Sequence, residues 1–269
     1  MTKKKASQRI VAQTNQTQPW NQGSMMLSVV IPAHNEAENL PGLLEEIIEA
    51  FKDGRTEYEV VVVNDGSSDE TAGVLTAIQQ TMPQLRVVTH EKSCGQSTGL
   101  MSGVDASQGE LIATLDGDGQ NDPADIPRML ETYQTGTVPL TMVVGHRQKR
   151  KDGGWRLFCS KVANSVRSRM LKDATPDSGC GIKLFPKDAF QKFPRFDHMH
   201  RFLPALMRRL GGRVISQTVN HRVRGSGSSH YGTLGRLTAG VVDLVGVAWL
   251  MHRSRLPVLT DQKKESSGP

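Results

Sequence analysis

The sequence predicts an α/β protein: a mostly parallel central sheet flanked by helices. Three observations predict it. Apolar, β-branched runs at Leu27 to Pro32, Tyr58 to Val63 and Leu111 to Leu115 lack polar alternation, as parallel strands buried on both faces do. Segments with helical spacing lie between these runs. Each run is also followed by acidic or amide residues, which such a fold gathers at one edge of the sheet.

Taken in order, residues 1–24 read as a disordered lead-in. Lys3, Lys4 and Lys5 are followed by Gln, Thr and Asn, not by the apolar run that a signal peptide needs. After the first strand, Asn39 to Phe51 carries Leu40, Leu43, Leu44, Ile47, Ile48 and Phe51 at helical spacing. After the second, Ser68 to Met82 does the same with Val74, Leu75 and Ile78, and Ser67, Ser68 and Asp69 are N-cap candidates. Leu85 to Thr89 reads as a further short strand and Ser97 to Ala106 as a helix. The main domain is expected to span residues 25–235, followed by an amphipathic segment at 236–257 and a flexible tail at 258–269. Within that segment Leu237, Val241, Leu244, Val245, Ala248 and Leu250 recur helically, with Arg236, His252, Arg253 and Arg255 beside them. Asp243 interrupts it, so no stretch approaches the roughly 20 apolar residues of a membrane span. The segment reads either as an interfacial helix or as a terminal helix packed on the domain.

Composition narrows the function. The 269 residues carry a net charge of +6, which favours an anionic partner. A nucleic acid is a poor fit, because the cations are not gathered on one helix with stacking aromatics and aromatics make up only 5%. Cys94, Cys159 and Cys180 form no CxxC pair, so neither a zinc site nor a disulfide framework is expected, and a reducing cytoplasm suits them. No G-x-G-x-x-G follows the first strand, which excludes a dinucleotide-binding dehydrogenase.

The chemistry concentrates at the strand ends: Pro32-Ala33-His34-Asn35-Glu36, Asn64-Asp65-Gly66-Ser67-Ser68-Asp69, and Asp116-Gly117-Asp118-Gly119-Gln120. Two carboxylates as close as Asp116 and Asp118 repel unless a cation lies between them or one is protonated. A hard divalent ion, Mg²⁺ or Mn²⁺, resolves that repulsion and keeps positions open for substrate phosphates. Gln120 adds a neutral oxygen.

These residues carry a resemblance. VVIPAHNEAENL, VVVNDGSSDET, ATLDGDGQNDP, VVGHRQKR, WRLFCSKVAN, DSGCGIKLF and HRVRGSGSSHYG stand in the order found in GT-A glycosyltransferases of the second glycosyltransferase family. The chain is similar to the dolichyl-phosphate mannosyltransferase and bacterial polyprenyl-phosphate sugar transferase branch. The resemblance implies a nucleotide-sugar pocket of Pro32, Ala33, His34, Asn35, Glu36, Val63, Asp65, Asp116, Gly117, Arg224 and His230, with Asp65 on the base. It implies a metal at Asp118 and Gln120, and an acceptor phosphate held by Arg147, Arg156 and Ser160, with Asp118, Arg147 and Arg156 catalytic. His34 and His230 depart from the family's usual aromatic and lysine.

Inverting transfer from GDP-mannose or a UDP-sugar to a polyprenyl or dolichyl phosphate is then expected, by a peripheral protein on the cytoplasmic face of a membrane. Arginine forks suit phosphates. Arg156 and Ser160 share one helical face by spacing. A phosphate acceptor is already ionised and needs no strong base. Two alternatives stand beside this reading. One is a saccharide or protein acceptor, with Asp177 as general base; the other is a non-catalytic nucleotide-sugar-binding regulator.

Overall fold

A computed structural model of the chain describes residues 26–136, 138, 140–147, 167–171, 175–222 and 233–253, without the side chains of 233–239. The strands are β1 (Leu27–Ala33), β2 (Tyr58–Asp65), β3 (Leu85–His90), β4 (Leu111–Thr114), β5 (Thr141–Arg147), β6 (Lys183–Pro186) and β7 (Arg213–Val219). The helices are α1 (Leu40–Ala50), α2 (Thr71–Gln79), α3 (Gln96–Ala106), α4 (Asp125–Gln134), α5 (Lys187–Gln191), α6 (Leu203–Arg209) and α7 (Thr233–His252), with a 3₁₀ turn at Met199–Arg201.

All seven strands form one sheet in the order β3-β2-β1-β4-β6-β5-β7. β1 pairs in parallel with β2, Pro32 opposite Val63, and with β4, Val30 opposite Thr114. The parallel rhythm breaks at β6, which runs antiparallel to both β4 and β5. Because β6 is reversed on both sides, β5 points the same way as β4. The ends of β1, β2, β4 and β5 and the start of β6 therefore share one edge, which brings Pro32, Asp65, Asp116, Arg147 and Lys183 to the same rim.

Two apolar layers hold the helices on the sheet. On one face Val29, Ile31, Val62 and Leu184 meet α1 and α4 through Leu40, Leu44, Ile47, Ile126 and Met129. Leu40, Leu43, Leu44 and Ile47 of α1 are at most 2% exposed, and each such burial is worth about 1.5–3 kcal/mol. On the other face Val30, Val61 and Phe185 meet Leu100 and Val104 of α3, Phe190 of α5 and Leu206 of α6. Gly103 lets α3 approach closely, since a methyl there would sit 3.0 Å from Val63 Cγ2. The opposite rim is locked by a buried Ser28 hydroxyl donating to Glu59 Oε1 at 2.6 Å.

Several expectations are refined. The helix expected over 68–82 occupies Thr71–Gln79, and its N-cap is Glu70, without a side-chain cap bond. Of the expected caps, Ser67 Oγ accepts the Asn35 amide at 3.0 Å instead, whereas Asp69 Oδ1 accepts the amide of Thr71, the first helical residue, at 3.0 Å. Ile48, expected on the apolar face of α1, is 45% exposed. α7 packs on the domain through Leu244, Val247, Ala248 and Met251, beside Leu171, Phe202 and Ala205.

Candidate active site

A cavity of about 510 Å³ opens at the shared rim, lined among others by Pro32, Gln96, Asp116, Arg147, Asp177 and Lys183. Local sequence shapes it. β4 stops at Thr114, and Gly117 turns the chain tightly under β1, where a methyl would lie 3.3 Å from Pro32 O and 3.4 Å from Ala33 Cβ and Glu36 Cγ. Gly119, at φ +69°, completes the turn. Asp118 Oδ1 accepts the Gln120 amide at 3.1 Å, so the loop folds onto its own carboxylate.

Asp116 faces into the cavity, and Gln96 Nε2 donates to its Oδ1 at 2.7 Å. Burial, and then the charge of Asp118, push the Asp116 carboxyl up to about 6, against the pull of Lys183 and Arg147. The carboxylate pair is thus short of positive charge where a substrate enters, which is the chemistry of a divalent-cation site. Asp118, Gln120 and Asp116 offer oxygen donors, the type that a hard ion such as Mg²⁺ or Mn²⁺ takes.

Across the cavity, β5 ends in Arg147. Its Nε donates to Asp177 Oδ2 at 2.6 Å and its Nη2 to Asp177 Oδ1 at 2.8 Å. This bidentate bond raises the Arg147 pKa further and fixes the fork's direction. Asp177, considered above as a general base, has both oxygens hydrogen-bonded by Arg147 and holds that arginine in place.

The other expected residues divide. Asp65 lies behind the cavity. His90 bonds its Oδ1 at 2.6 Å, the Cys94 amide donates to Oδ1 at 2.8 Å, and the Ser93 hydroxyl and Gly95 amide each donate to Oδ2 at 2.9 Å. Burial pushes its pKa up, but these bonds prevail and hold it below the usual carboxylate range. Asp65 therefore organises the turn from β3 to α3. Asp65, His90 and Cys94 bring possible metal donors within 4.8 Å of one another, yet His90 Nε2 already meets Ser102 Oγ at 2.9 Å and the Asp65 oxygens are filled by protein donors. His34 Nδ1 lies 2.7 Å from Asp65 O, and Asn35, at φ +58°, accepts the Ser68 amide at 2.8 Å. Glu36 takes its place through its amide, 3.0 Å from Thr71 Oγ1. These bonds tie the first two strand-end loops together. Val63 is fully buried and packs in the core. Arg156, Ser160, Arg224 and His230 lie outside the described residues. Arg222, just before Arg224, is placed against the acidic loop: its amide donates to Gln120 O at 3.0 Å and its guanidinium pairs with Asp122 at 2.9 Å.

Three basic lining residues escaped the sequence reading: Lys183, His200 and Arg201. Lys183 is buried, with its ammonium donating to the Cys180 carbonyl, and burial lowers its pKa although Cys180, Asp116 and Asp177 oppose this. A lysine breaking an apolar strand in DSGCGIKLF was the available signal. His200 Nδ1 meets Ser97 Oγ at 2.8 Å; burial, then Lys183, Arg201 and His198, push its pKa down to about 3. No periodicity marks His200 or Arg201.

The model of glycosyl transferase family 2 matches residues 28–193. The chain belongs to that family. Among curated relatives of this glycosyltransferase, a dodecaprenyl-phosphate galacturonate synthase of Rhizobium johnstonii is 32% identical over 241 residues, covering 87% of this chain and 70% of the relative. An undecaprenyl-phosphate 4-deoxy-4-formamido-L-arabinose transferase of Photorhabdus laumondii is 33% identical and covers 76% of this chain; the chain spans 62% of that relative's length. The GT-A architecture is shared with glucosyl-3-phosphoglycerate synthase of Mycobacterium tuberculosis, solved with Mg²⁺ and UDP. That match has a TM-score of 0.62 and 19% identity, covering 89% of this chain and 85% of that one. A mannosyltransferase of Pyrobaculum calidifontis, solved with GDP-Man and Mn²⁺, gives 0.62 and 18%, covering 86% and 65%.

Proposed function

We propose that this family 2 glycosyltransferase moves a sugar, with inversion, from a UDP- or GDP-sugar to a polyprenyl or dolichyl phosphate. One observation carries the choice of acceptor. Among the described residues, the cavity's two carboxylates are Asp116, beside the proposed metal loop, and Asp177, bound at both oxygens by Arg147. No carboxylate there is left to deprotonate a hydroxyl. With Asp116 given to the metal loop, this supports a nucleophile that arrives ionised, as a phosphate monoester does near neutral pH. The relatives named for dodecaprenyl- and undecaprenyl-phosphate chemistry support the same acceptor class.

In this reading Asp118 and Gln120, with Asp116 beside them, would hold Mg²⁺ or Mn²⁺. The cation would neutralise the departing nucleoside diphosphate. Pro32 to Glu36 would frame the nucleotide side, with Asp65 holding the adjoining turn from β3 to α3. Arg147, aimed by Asp177, offsets the charge that builds as an anionic acceptor nears an anionic donor. Arg156 and Ser160 are assigned to the acceptor phosphate, and Arg224 and His230 to the donor diphosphate, by their motifs alone.

A lipid acceptor calls for a membrane surface. Among the described residues no helix is long and apolar enough to cross a membrane. α7 nevertheless exposes Val241 (57%), Val242 (71%), Val245 (58%) and Trp249 (59%), with Arg253 5.9 Å from the Trp249 ring. Such a face suits shallow insertion beside anionic headgroups. Peripheral attachment on the cytoplasmic side agrees with the free thiols of Cys94 and Cys180.

The direct test is transfer of labelled sugar from a donor panel to undecaprenyl phosphate in detergent, with free saccharides as competing acceptors. Label is expected in the lipid fraction, dependent on Mn²⁺ or Mg²⁺. Label in the saccharides and none in the lipid would refute the proposed acceptor.

A further inference from the structure

The cavity holds more positive charge than the proposed reaction has yet used. Arg147 spends its fork on Asp177, at 2.6 and 2.8 Å. Lys183 donates to the Cys180 carbonyl, with Asp116 and Asp177 among the charges acting on it. His200 is kept neutral against Ser97. Arg201 is different. It lines the cavity half-buried, its charge acts on the adjacent His200, and its side chain forms no hydrogen bond or ion pair among the described residues.

Its backbone, by contrast, is firmly held. The Arg201 amide donates to His198 O at 3.1 Å, and the turn is fixed on one side by Ser97 Oγ, 2.8 Å from His200 Nδ1. On the other side His198 Nδ1 meets Asp243 Oδ2 of α7 at 2.8 Å. Phe202 and Leu203, which follow, are 6% and 1% exposed. A half-buried guanidinium with no counter-ion among the described residues, held on a rigid turn, is placed to pair with a ligand anion. Its planar fork matches a carboxylate or phosphate in two parallel bonds.

We propose that Arg201 anchors a substrate oxyanion other than the leaving diphosphate: the acceptor's phosphate or a carboxylate on the transferred sugar. This rests on the transfer reaction proposed above and adds a specificity-determining residue that its motifs do not include. Arg201 would grip one anion while Arg147, across the cavity, faces the reacting centre.

The experiment uses the full chain with Mn²⁺ and measures thermal shift and binding for three probes: a short-chain prenyl phosphate, a UDP-hexuronate, and neutral UDP-glucose. Wild type is compared with Arg201→Ala and Arg201→Lys, each checked for folding by circular dichroism. Arg201→Ala is expected to weaken an oxyanion-bearing probe roughly tenfold or more while binding of UDP-glucose stays within about twofold. Lysine should restore part of the affinity, since it keeps the charge and loses the fork. Loss for prenyl phosphate assigns the site to the acceptor; loss confined to the hexuronate assigns it to the sugar. Unchanged affinity for both, or no binding of either by wild type, overturns the proposal. Failure of lipid transfer with intact Arg201-dependent binding would count against the proposed reaction alone.

Discussion

At the scale of single residues, the site depends on what holds its charges in place. Asp177 matters through Arg147, so Asp177→Asn should leave the protein folded and reduce transfer about 10–100-fold, because one oxygen of the bidentate pair becomes a donor facing a donor. The measurement is steady-state kinetics against acceptor concentration, and an unchanged rate would show that Arg147 needs no such aim. Gly181 matters through space: a Cβ there collides with the Asp116 carboxylate and lies 2.6 Å from Asn121 Oδ1. Gly181→Ala should therefore displace Asp116 and lower metal-dependent nucleotide binding by at least about tenfold, read by calorimetry beside a circular-dichroism control. Asp116, Asp118 and Asp65 were legible in the sequence because each closes an apolar run with a costly charge. Lys183, His200 and Arg201 were not, because only the reversal at β6 and the packing of the 3₁₀ turn on α3 bring them to the rim. The partner of Asp177 was not legible for a related reason: Arg147 stands 30 residues earlier, and their proximity is a tertiary fact.

Among elements, β1 to β4 with α1 to α3 were legible because buried parallel strands and amphipathic helices leave unmistakable periods. β5 to β7 were less so: β6 has only four residues and borrows its register from two neighbours. α7 packs one face through Val247 and leaves the other bare at Val241, Val242, Val245 and Trp249, the face that the interfacial reading of its segment needs. Replacing Val242, Val245 and Trp249 by serine should remove binding to anionic vesicles in co-sedimentation while leaving binding of soluble nucleotide-sugar unchanged. Vesicle binding equal to wild type would take α7 out of the membrane account.

For the whole molecule, buried His200 links stability to pH. Its folded pKa, pushed down to about 3 by burial and then by Lys183, Arg201 and His198, lies below the unfolded value of 6.5. The unfolded chain therefore binds this proton first, so the contribution of neutral His200 is complete above about pH 6.5 and is lost as pH falls toward about 3. Thermal melts from pH 7 to pH 4 should show a steeper fall in Tm for wild type than for His200→Asn, which keeps a polar partner for Ser97 without a titrating ring. Parallel slopes would assign the acid sensitivity to other groups.

The central claim is that the carboxylates of the loop after β4 grip a cation that neutralises a leaving diphosphate. Calorimetric titration of UDP and GDP into wild type and Asp118→Ala, with and without Mn²⁺, tests it most directly. The account predicts that at least one nucleotide binds wild type with Mn²⁺, and that affinity falls roughly a hundredfold when either the metal or the Asp118 carboxylate is removed. Equal affinity with and without Mn²⁺, or full affinity in Asp118→Ala, would contradict it.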